Sequence, residues 1–243
     1  MSKHLSALQS CRCHPARRGF LRLLGGAATA GLVLPAFGQI ATLPGMSAMP
    51  PAAAKPTLPF TAVGPFKEDE LQVYAFFAFS CPFCRQHMAN IAAWGATLPK
   101  PLRFEAVPIC IDETGTQAAR AYFAVRRAQP DRLATFEQAV YTQLQDAGAV
   151  GGSPSTYLAA AKDAHIDRTA LDRWWRDGIV AREIVQARMR YERYRVEVTP
   201  SLAIGGQFVT EAGRTNGDYV MLLQLANGII SQMLPIFQGR TPS

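Results

Sequence analysis

The chain has 243 residues, of which 49% are hydrophobic and 18% are charged, and its formal net charge is +7. Residues 1–38 hold five basic side chains and no acidic one, so they carry +5 of this charge. The remaining 20 basic and 18 acidic residues leave only +2. The excess of positive charge therefore lies mostly in residues 1–38, and it does not favour nucleic acid or an acidic substrate as a partner.

Residues 1–38 have the layout of an export signal. Arg17 and Arg18 precede a mildly hydrophobic segment over residues 23–34, which is too short for a transmembrane helix. Ala36 and Gly38 offer small residues for cleavage before residue 39. The layout resembles a twin-arginine signal, which is recognised by an export receptor and does not anchor the protein in the membrane. An ordinary secretory signal and an uncleaved tether are the alternatives, and all three place the mature domain outside the cytoplasm.

Residues 39–59 predict a flexible or extended linker, because five prolines lie there among Ala, Gly and Met. Met46 and Met49 are soft ligands of the kind that bind Cu(I), but we interpret them as linker residues. The folded part is expected to begin near Phe60 and to leave about 180 residues, which is the length of one domain with a sizeable core.

The segment after the linker predicts a strand followed by a helix with two cysteines at its start. An apolar run over residues 73–79 is typical of a buried strand. Pro82 suits the first helical position, so Cys81 is expected at the N-cap and Cys84 one turn inside. Unpaired N–H groups and the helix dipole favour a thiolate there. Strand, Cys-x-x-Cys and helix together predict a redox-active dithiol.

The alternatives are a zinc site, which uses the same Cys-x-x-Cys spacing, and plain structural cysteines. A zinc site needs two further ligands, and His87 is the single candidate nearby. The sequence has no second Cys-x-x-Cys, and Arg85 stands where a c-type haem site would need His. We therefore predict no metal and no cofactor, and we interpret His87 as a helix-surface residue.

The next segments predict a β-α-β unit and then a helical block. A second strand over residues 102–111 is expected to lie parallel to the first, with Cys110 at its end as a buried, unreactive thiol. No strand is predicted between residues 114 and 194. We predict helices over residues 115–128, 131–146, 154–165, 168–176 and 178–194. Four arginines are predicted to form a solvated face, with a surface for an anionic partner as the alternative: Arg188, Arg190, Arg193 and Arg195.

Residues 196–210 predict a β-hairpin. Gly205 and Gly206 form a two-residue turn that requires positive φ, between two short apolar strands. Pro200 lies at the head of the first strand, where a missing N–H is tolerated. A last helix is predicted over residues 217–233.

This order of elements resembles the DsbA-like branch of the thioredoxin-fold thiol-disulfide oxidoreductases. The resemblance is carried by FFAFSCPFC over residues 76–84 and by Val198-Thr199-Pro200 with its hairpin. It implies an α/β thioredoxin fold over residues 60–243, with an inserted helical domain over about residues 114–194. It also implies a periplasmic protein that exchanges a disulfide with cysteine-containing substrate proteins and is reset by a membrane redox partner.

The resemblance also implies the roles of individual residues. Cys81 is the exposed nucleophile and Cys84 the shielded resolving thiol. Pro200 is a cis-proline that faces the disulfide, with Thr199 beside it. These two residues are expected to bind substrate together with the residues between the cysteines, Pro82 and Phe83.

Three positions depart from the pattern of the oxidising members. No His lies between the cysteines, which favours a less oxidising pair. Ala75 stands where oxidases often carry a buried carboxylate, and Thr199 replaces the Val that precedes their cis-proline. Thr at this place is commoner in reductive and isomerase-like members, but residues 39–59 are too few to form the dimerisation domain of such proteins. We therefore predict a monomeric, disulfide-donating oxidase.

Three alternatives to an oxidase stay open at this point. One is a reductase or isomerase of the same fold. Another is a Cu(I) metallochaperone that uses Cys81, Cys84 and His87. The last is a peptide-binding module without catalytic activity.

Overall fold

The computed structural model describes residues 58–238. The predicted export signal and the linker up to residue 57 lie outside the described residues. The described part contains one five-stranded sheet with the strand order β1-β5-β4-β2-β3. The strands are β1 (Thr61–Ala62), β2 (Gln72–Phe77), β3 (Arg103–Pro108), β4 (Ser201–Ile204) and β5 (Phe208–Glu211).

Seven α-helices accompany this sheet in residues 58–238. They are α1 (Pro82–Gly95), α2 (Glu113–Ala128), α3 (Leu133–Tyr141), α4 (Pro154–Asp163), α5 (Arg168–Trp175), α6 (Gly178–Arg193) and α7 (Tyr219–Gln238). None of the helices in the described part is long and apolar enough to cross a membrane.

The predicted β-α-β unit is present. β2 is an inner strand between β4 and β3, and its side chains from Val73 to Phe77 are almost fully buried. β2 and β3 pair in parallel, with Phe77 opposite Pro108, and α1 connects them. Because both strands run in the same direction, the residues that follow them meet at one edge of the sheet.

The helical block between β3 and β4 contains the predicted helices, with one internal difference. The segment predicted as one helix over residues 131–146 consists of three parts. A 3-10 turn at Pro130–Arg132 leads into α3, and a π-helical turn at Thr142–Asp146 follows. Asp167 caps α5 by accepting a hydrogen bond from the Ala170 N–H, as predicted.

The prediction of a solvated arginine face is wrong for Arg190 and Arg193, which are half-buried, whereas Arg188 and Arg195 are exposed. Arg188 donates to the carbonyls of Cys110 and Ile111. Arg190 pairs with Glu105 of β3, and Arg193 pairs with Glu68 and Asp69. The partners lie 77 or more positions away in the sequence, so the local pattern of α6 did not indicate them.

The predicted hairpin is formed by β4 and β5. Gly205 and Gly206 have φ values of 60° and 67°, and the Gln207 N–H donates to the Ile204 carbonyl. A Cβ at residue 206 would lie 2.2 Å from the Phe66 carbonyl oxygen, so this position needs glycine for space as well as for φ. The short edge strand β1, which pairs with β5, was not predicted, because two residues are too few to show a period.

Candidate dithiol site

Cys81 is the N-cap residue of α1. The chain leaves β2 at Phe77 and reaches Cys81 within four residues, and Pro82 occupies the first position of the helix. The Cys84 N–H donates to Cys81 Sγ at 3.3 Å. Cys81 is half-buried and Cys84 is fully buried. The cysteine that solvent reaches is therefore the one that accepts hydrogen bonds from the helix start.

The two sulfurs have opposite acidities. The pKa of Cys81 is lowered to about 5, chiefly because the Cys84 thiol donates a hydrogen bond to its sulfur. The Thr199 side chain and the N–H groups of Cys84 and Phe83 add to this effect, while burial opposes it. The pKa of Cys84 is raised, because its proton is held by Cys81 and because it is buried. At neutral pH the pair therefore consists of one thiolate and one thiol.

The loop before β4 faces Cys81 across the site. Thr199 lies two positions before Ser201, which pairs with Phe76 near the end of β2. The Thr199 carbonyl oxygen lies 3.1 Å from Cys81 Sγ and accepts a hydrogen bond from its neutral thiol. The Thr199–Pro200 peptide bond is cis. The sheet thus brings together two segments that are 118 positions apart.

Apolar surface lies beside the half-buried Cys81. Pro82 is exposed, and the Phe83 side chain is 58% exposed although it is large and apolar. Val198, next to Thr199, is 49% exposed. The structure therefore places all six predicted site residues around one point: Cys81, Pro82, Phe83, Cys84, Thr199 and Pro200.

A cavity of about 680 Å³ lies next to the dithiol loop, toward the helical block. It is bounded by Ser80 and Pro82 on the dithiol side and by Ile111, Leu144 and Tyr157 on the other. Its lining is mixed, with apolar side chains beside charged and amide groups. Such a space can accept a polypeptide side chain or a backbone segment.

His87 and Cys110 are not part of the Cys81–Cys84 dithiol. The His87 ring stacks on Tyr219 with 3.5 Å between ring centroids. Cys110 is fully buried and donates to the Ile184 carbonyl, and burial raises its pKa to about 11. The prediction that Cys110 is a buried thiol is confirmed. In residues 58–238 no group of three or more His, Cys, Asp or Glu side chains is arranged to hold a metal ion.

Sequence reasoning missed the residues of the helical block that contact the dithiol loop. Gln145 donates to the carbonyls of Phe79 and Cys81, and Asp146 forms a bidentate ion pair with Arg85 of α1. These residues belong to no recognisable motif, and more than 60 positions separate them from their partners. No local sequence pattern therefore indicates their contacts with the dithiol loop.

Comparison with known proteins gives consistent matches. The family model described as Thioredoxin matches residues 67–221. The thiol:disulfide interchange protein DsbA of Bordetella parapertussis is 24% identical over 167 residues, which cover 67% of this chain and 77% of that protein. The fold is similar to crystal structures of DsbA from Pseudomonas aeruginosa (TM-score 0.65, 15% identity, 74% and 94% coverage) and Xylella fastidiosa (0.59, 19%, 71% and 94%).

These similarities confirm the predicted fold class, an α/β thioredoxin fold with an inserted helical domain. A further similar structure is a DsbA of Proteus mirabilis in complex with a non-covalently bound peptide (TM-score 0.59, 16% identity, 71% and 96% coverage). At this level of identity the structural matches establish the fold alone.

Proposed function

The chain belongs to the thioredoxin family and is a thiol-disulfide oxidoreductase, and we propose that it donates the Cys81–Cys84 disulfide to substrate proteins outside the cytoplasm. The observation that carries this proposal is the position of Cys81. Its sulfur lies at the start of α1, accepts from the Cys84 N–H and faces the Thr199 carbonyl at 3.1 Å. A stabilised thiolate that solvent reaches, beside a shielded thiol, is the arrangement that disulfide exchange requires.

The first step of the proposed reaction forms a mixed disulfide. A substrate thiolate attacks Cys81 Sγ of the oxidised protein, a new S–S bond joins the two proteins, and the Cys81–Cys84 bond breaks. Cys84 leaves as a thiolate and takes up a proton, because burial and its contact with Cys81 raise its pKa. Attack is directed to Cys81 because Cys84 is fully buried.

The second step releases the oxidised substrate. A second substrate thiolate attacks the substrate sulfur of the mixed disulfide, and Cys81 leaves as a thiolate. Two electrons have then passed from the substrate to the protein, and the substrate carries the new disulfide. A leaving thiol of low pKa departs faster and stabilises the reduced protein, so the lowered pKa of Cys81 favours donation of the disulfide.

Substrate binding is proposed for the surface around Cys81. Thr199 and Pro200 offer backbone groups to an extended chain, which would pair with this loop as a short strand. The exposed side chains of Pro82 and Phe83 supply apolar contact at the sulfur. The peptide complex of the Proteus mirabilis DsbA supports this proposal, because that related fold holds a peptide without a covalent bond.

The remaining parts of the proposal concern the setting of the protein. We place it in the periplasm as a monomer, exported by the twin-arginine route and reoxidised by a membrane partner. The basic leader and the DsbA relatives support export. A reductase or isomerase is the second candidate, and it is favoured by Thr199 before Pro200 and by the lack of His between the cysteines.

The reduction potential of the pair tests the direction of electron flow. The purified protein is equilibrated with glutathione buffers, and its thiols are counted by alkylation. A potential between about −120 and −180 mV supports a donor or a shuffler of disulfides, whereas one near about −270 mV indicates a reductant. Absence of exchange would contradict the proposed function, and stoichiometric copper in such a protein would support a metallochaperone.

A further inference from the structure

The π-helical turn Thr142–Asp146 in the helical block lies against the loop that carries Cys81. π-helical turns are rare and occur frequently at functional sites. Here the turn directs two consecutive side chains toward the dithiol segment, Gln145 to its loop and Asp146 to its helix. The helical block is therefore linked to the dithiol by specific polar contacts, in addition to the shared cavity.

Gln145 makes the contact nearest to the reactive sulfur. Its half-buried side-chain amide donates from Nε2 to the Phe79 carbonyl at 2.9 Å and to the Cys81 carbonyl at 3.2 Å. The Cys81 carbonyl also accepts the Arg85 N–H of the first turn of α1. One amide group thus binds the carbonyls on both sides of Ser80. The carbonyl of Cys81, which bears the nucleophilic sulfur, receives its second donor in this way.

The ion pair beside Gln145 has a different character. Arg85 and Asp146 form two bonds of 2.6 Å, but both side chains are substantially exposed. Exposed pairs contribute little free energy, because water and salt screen them. Of the two contacts, the half-buried amide is therefore the one that can fix the loop.

We propose that Gln145 is a positioning residue for Cys81: by holding the carbonyls of Phe79 and Cys81 toward the helical block, it sets the redox equilibrium of the dithiol. This inference rests on the proposed function of Cys81 and Cys84. A carbonyl oxygen carries partial negative charge, and one that lacks a donor disfavours a nearby anion. Gln145 donates to the Phe79 carbonyl and adds a second donor to the Cys81 carbonyl, and it keeps Cys81 Sγ aligned with the Cys84 N–H.

The consequence differs between the two redox states. Only the reduced protein carries a thiolate at Cys81, so the contact stabilises that state more than the disulfide. Stabilisation of the reduced state makes the pair more oxidising. Through Gln145, the helical block therefore makes the dithiol pair more oxidising.

The test is to replace Gln145 with Leu, which has a similar size and no donor. We expect the equilibrium constant with glutathione to shift toward the protein disulfide by about three- to tenfold, the change given by one or two lost hydrogen bonds. The pKa of Cys81, measured from the pH dependence of its alkylation, should rise in the same variant. A second variant, Gln145→Glu, keeps the length of the side chain but cannot donate when ionised, and it should shift both quantities in the same direction.

Gln143→Leu is the matched control. Gln143 lies on the same π-helical turn, but its amide donates to Asp163 and not to the dithiol loop. This variant should keep the equilibrium constant and the alkylation profile of the unmodified protein. If the Gln145 variants lose thermal stability and yet match Gln143→Leu in both redox readouts, Gln145 has a structural role only and the proposal is overturned.

The same experiment separates this proposal from the one on which it rests. An unmodified protein that fails to exchange with glutathione contradicts the proposed function itself. An unmodified protein that exchanges, together with Gln145 variants of unchanged equilibrium, contradicts only the role of Gln145.

Discussion

Two cysteines follow two neighbouring parallel strands of the same sheet, and their environments are opposite. Cys81 lies four residues after β2, and Cys110 lies two residues after β3. Cys81 is half-buried at the start of α1 and accepts a backbone N–H at its sulfur. Cys110 is fully buried, and its sulfur donates to the carbonyl of Ile184. The pKa is about 5 for the first and about 11 for the second.

The comparison shows that the reactivity comes from the groups that face the sulfur. At Cys81, N–H groups, the Cys84 thiol and the Thr199 side chain all favour the anion. At Cys110, burial is the leading effect, and it favours the neutral thiol. A position just after a strand of the sheet is therefore not sufficient to make a cysteine reactive. The sulfur must also lie at the start of a helix, and the helix after β3 begins only at Glu113.

The largest effect is expected for Cys81→Ser. The hydroxyl of serine is not ionised at neutral pH and forms no disulfide, so exchange with glutathione and with reduced model substrates should fall to background. Cys110→Ser is the matched control, and it should keep the full rate of exchange. Loss of exchange in the control and retention in the first variant would reverse the assignment of the two cysteines.

Replacement of the second dithiol cysteine is expected to trap a reaction intermediate. In Cys84→Ser the mixed disulfide between Cys81 and a substrate cannot be resolved from within the protein, so covalent complexes should accumulate. Non-reducing electrophoresis followed by mass spectrometry measures them. Cys81→Ser should form none, and complexes that join the substrate to Cys110 would count against the proposed nucleophile.

Thr199→Val tests the contribution of one neighbour of the sulfur. The change removes a hydrogen bond to the Cys81 thiolate, and the pKa of Cys81 should rise. We expect the equilibrium with glutathione to move about tenfold toward the protein disulfide, as for the loss of a bond to a charged group. Circular dichroism checks that the fold is kept, and Thr97→Val, at the end of α1, is the control. An unfolded Thr199→Val protein would indicate a structural role instead.

The smallest effect is expected for Cys110→Ala. The side chain fills a fully buried position, so its truncation should lower the free energy of unfolding by about 1 kcal/mol. Chemical denaturation measures this loss, and the reduction potential measured in parallel should stay the same. A changed potential would show that Cys110 influences the dithiol and would weaken the contrast between the two thiols.

The local patterns of the sequence predict much of the fold. Pro82 and the helical spacing after Cys84 placed α1 and its N-cap, and Gly205-Gly206 placed the turn of the hairpin. These features depend on backbone preferences within a few residues, which the sequence displays directly. The parallel pairing of β2 and β3 followed from the helix between them.

The parts that the sequence did not predict depend on distant partners. Gln145 has an ordinary amide side chain, and its importance becomes visible only when the fold brings it to Phe79 and Cys81. Arg190 and Arg193 pair with acids of distant segments for the same reason, so the expectation that they are solvated was wrong. The low pKa of Cys81 was predictable in direction from the helix start, whereas the contribution of Thr199 required the structure.

The pH dependence of alkylation at the two thiols tests the central contrast most directly. The fully reduced protein is treated briefly with iodoacetamide from pH 4 to pH 9, and peptide mass spectrometry follows Cys81 and Cys110 separately. Because the thiolate is the reactive form, modification of Cys81 should rise to a plateau with a midpoint near pH 5, and Cys110 should stay unmodified. A midpoint for Cys81 near about 8.5, the value of an unperturbed thiol, would contradict the account.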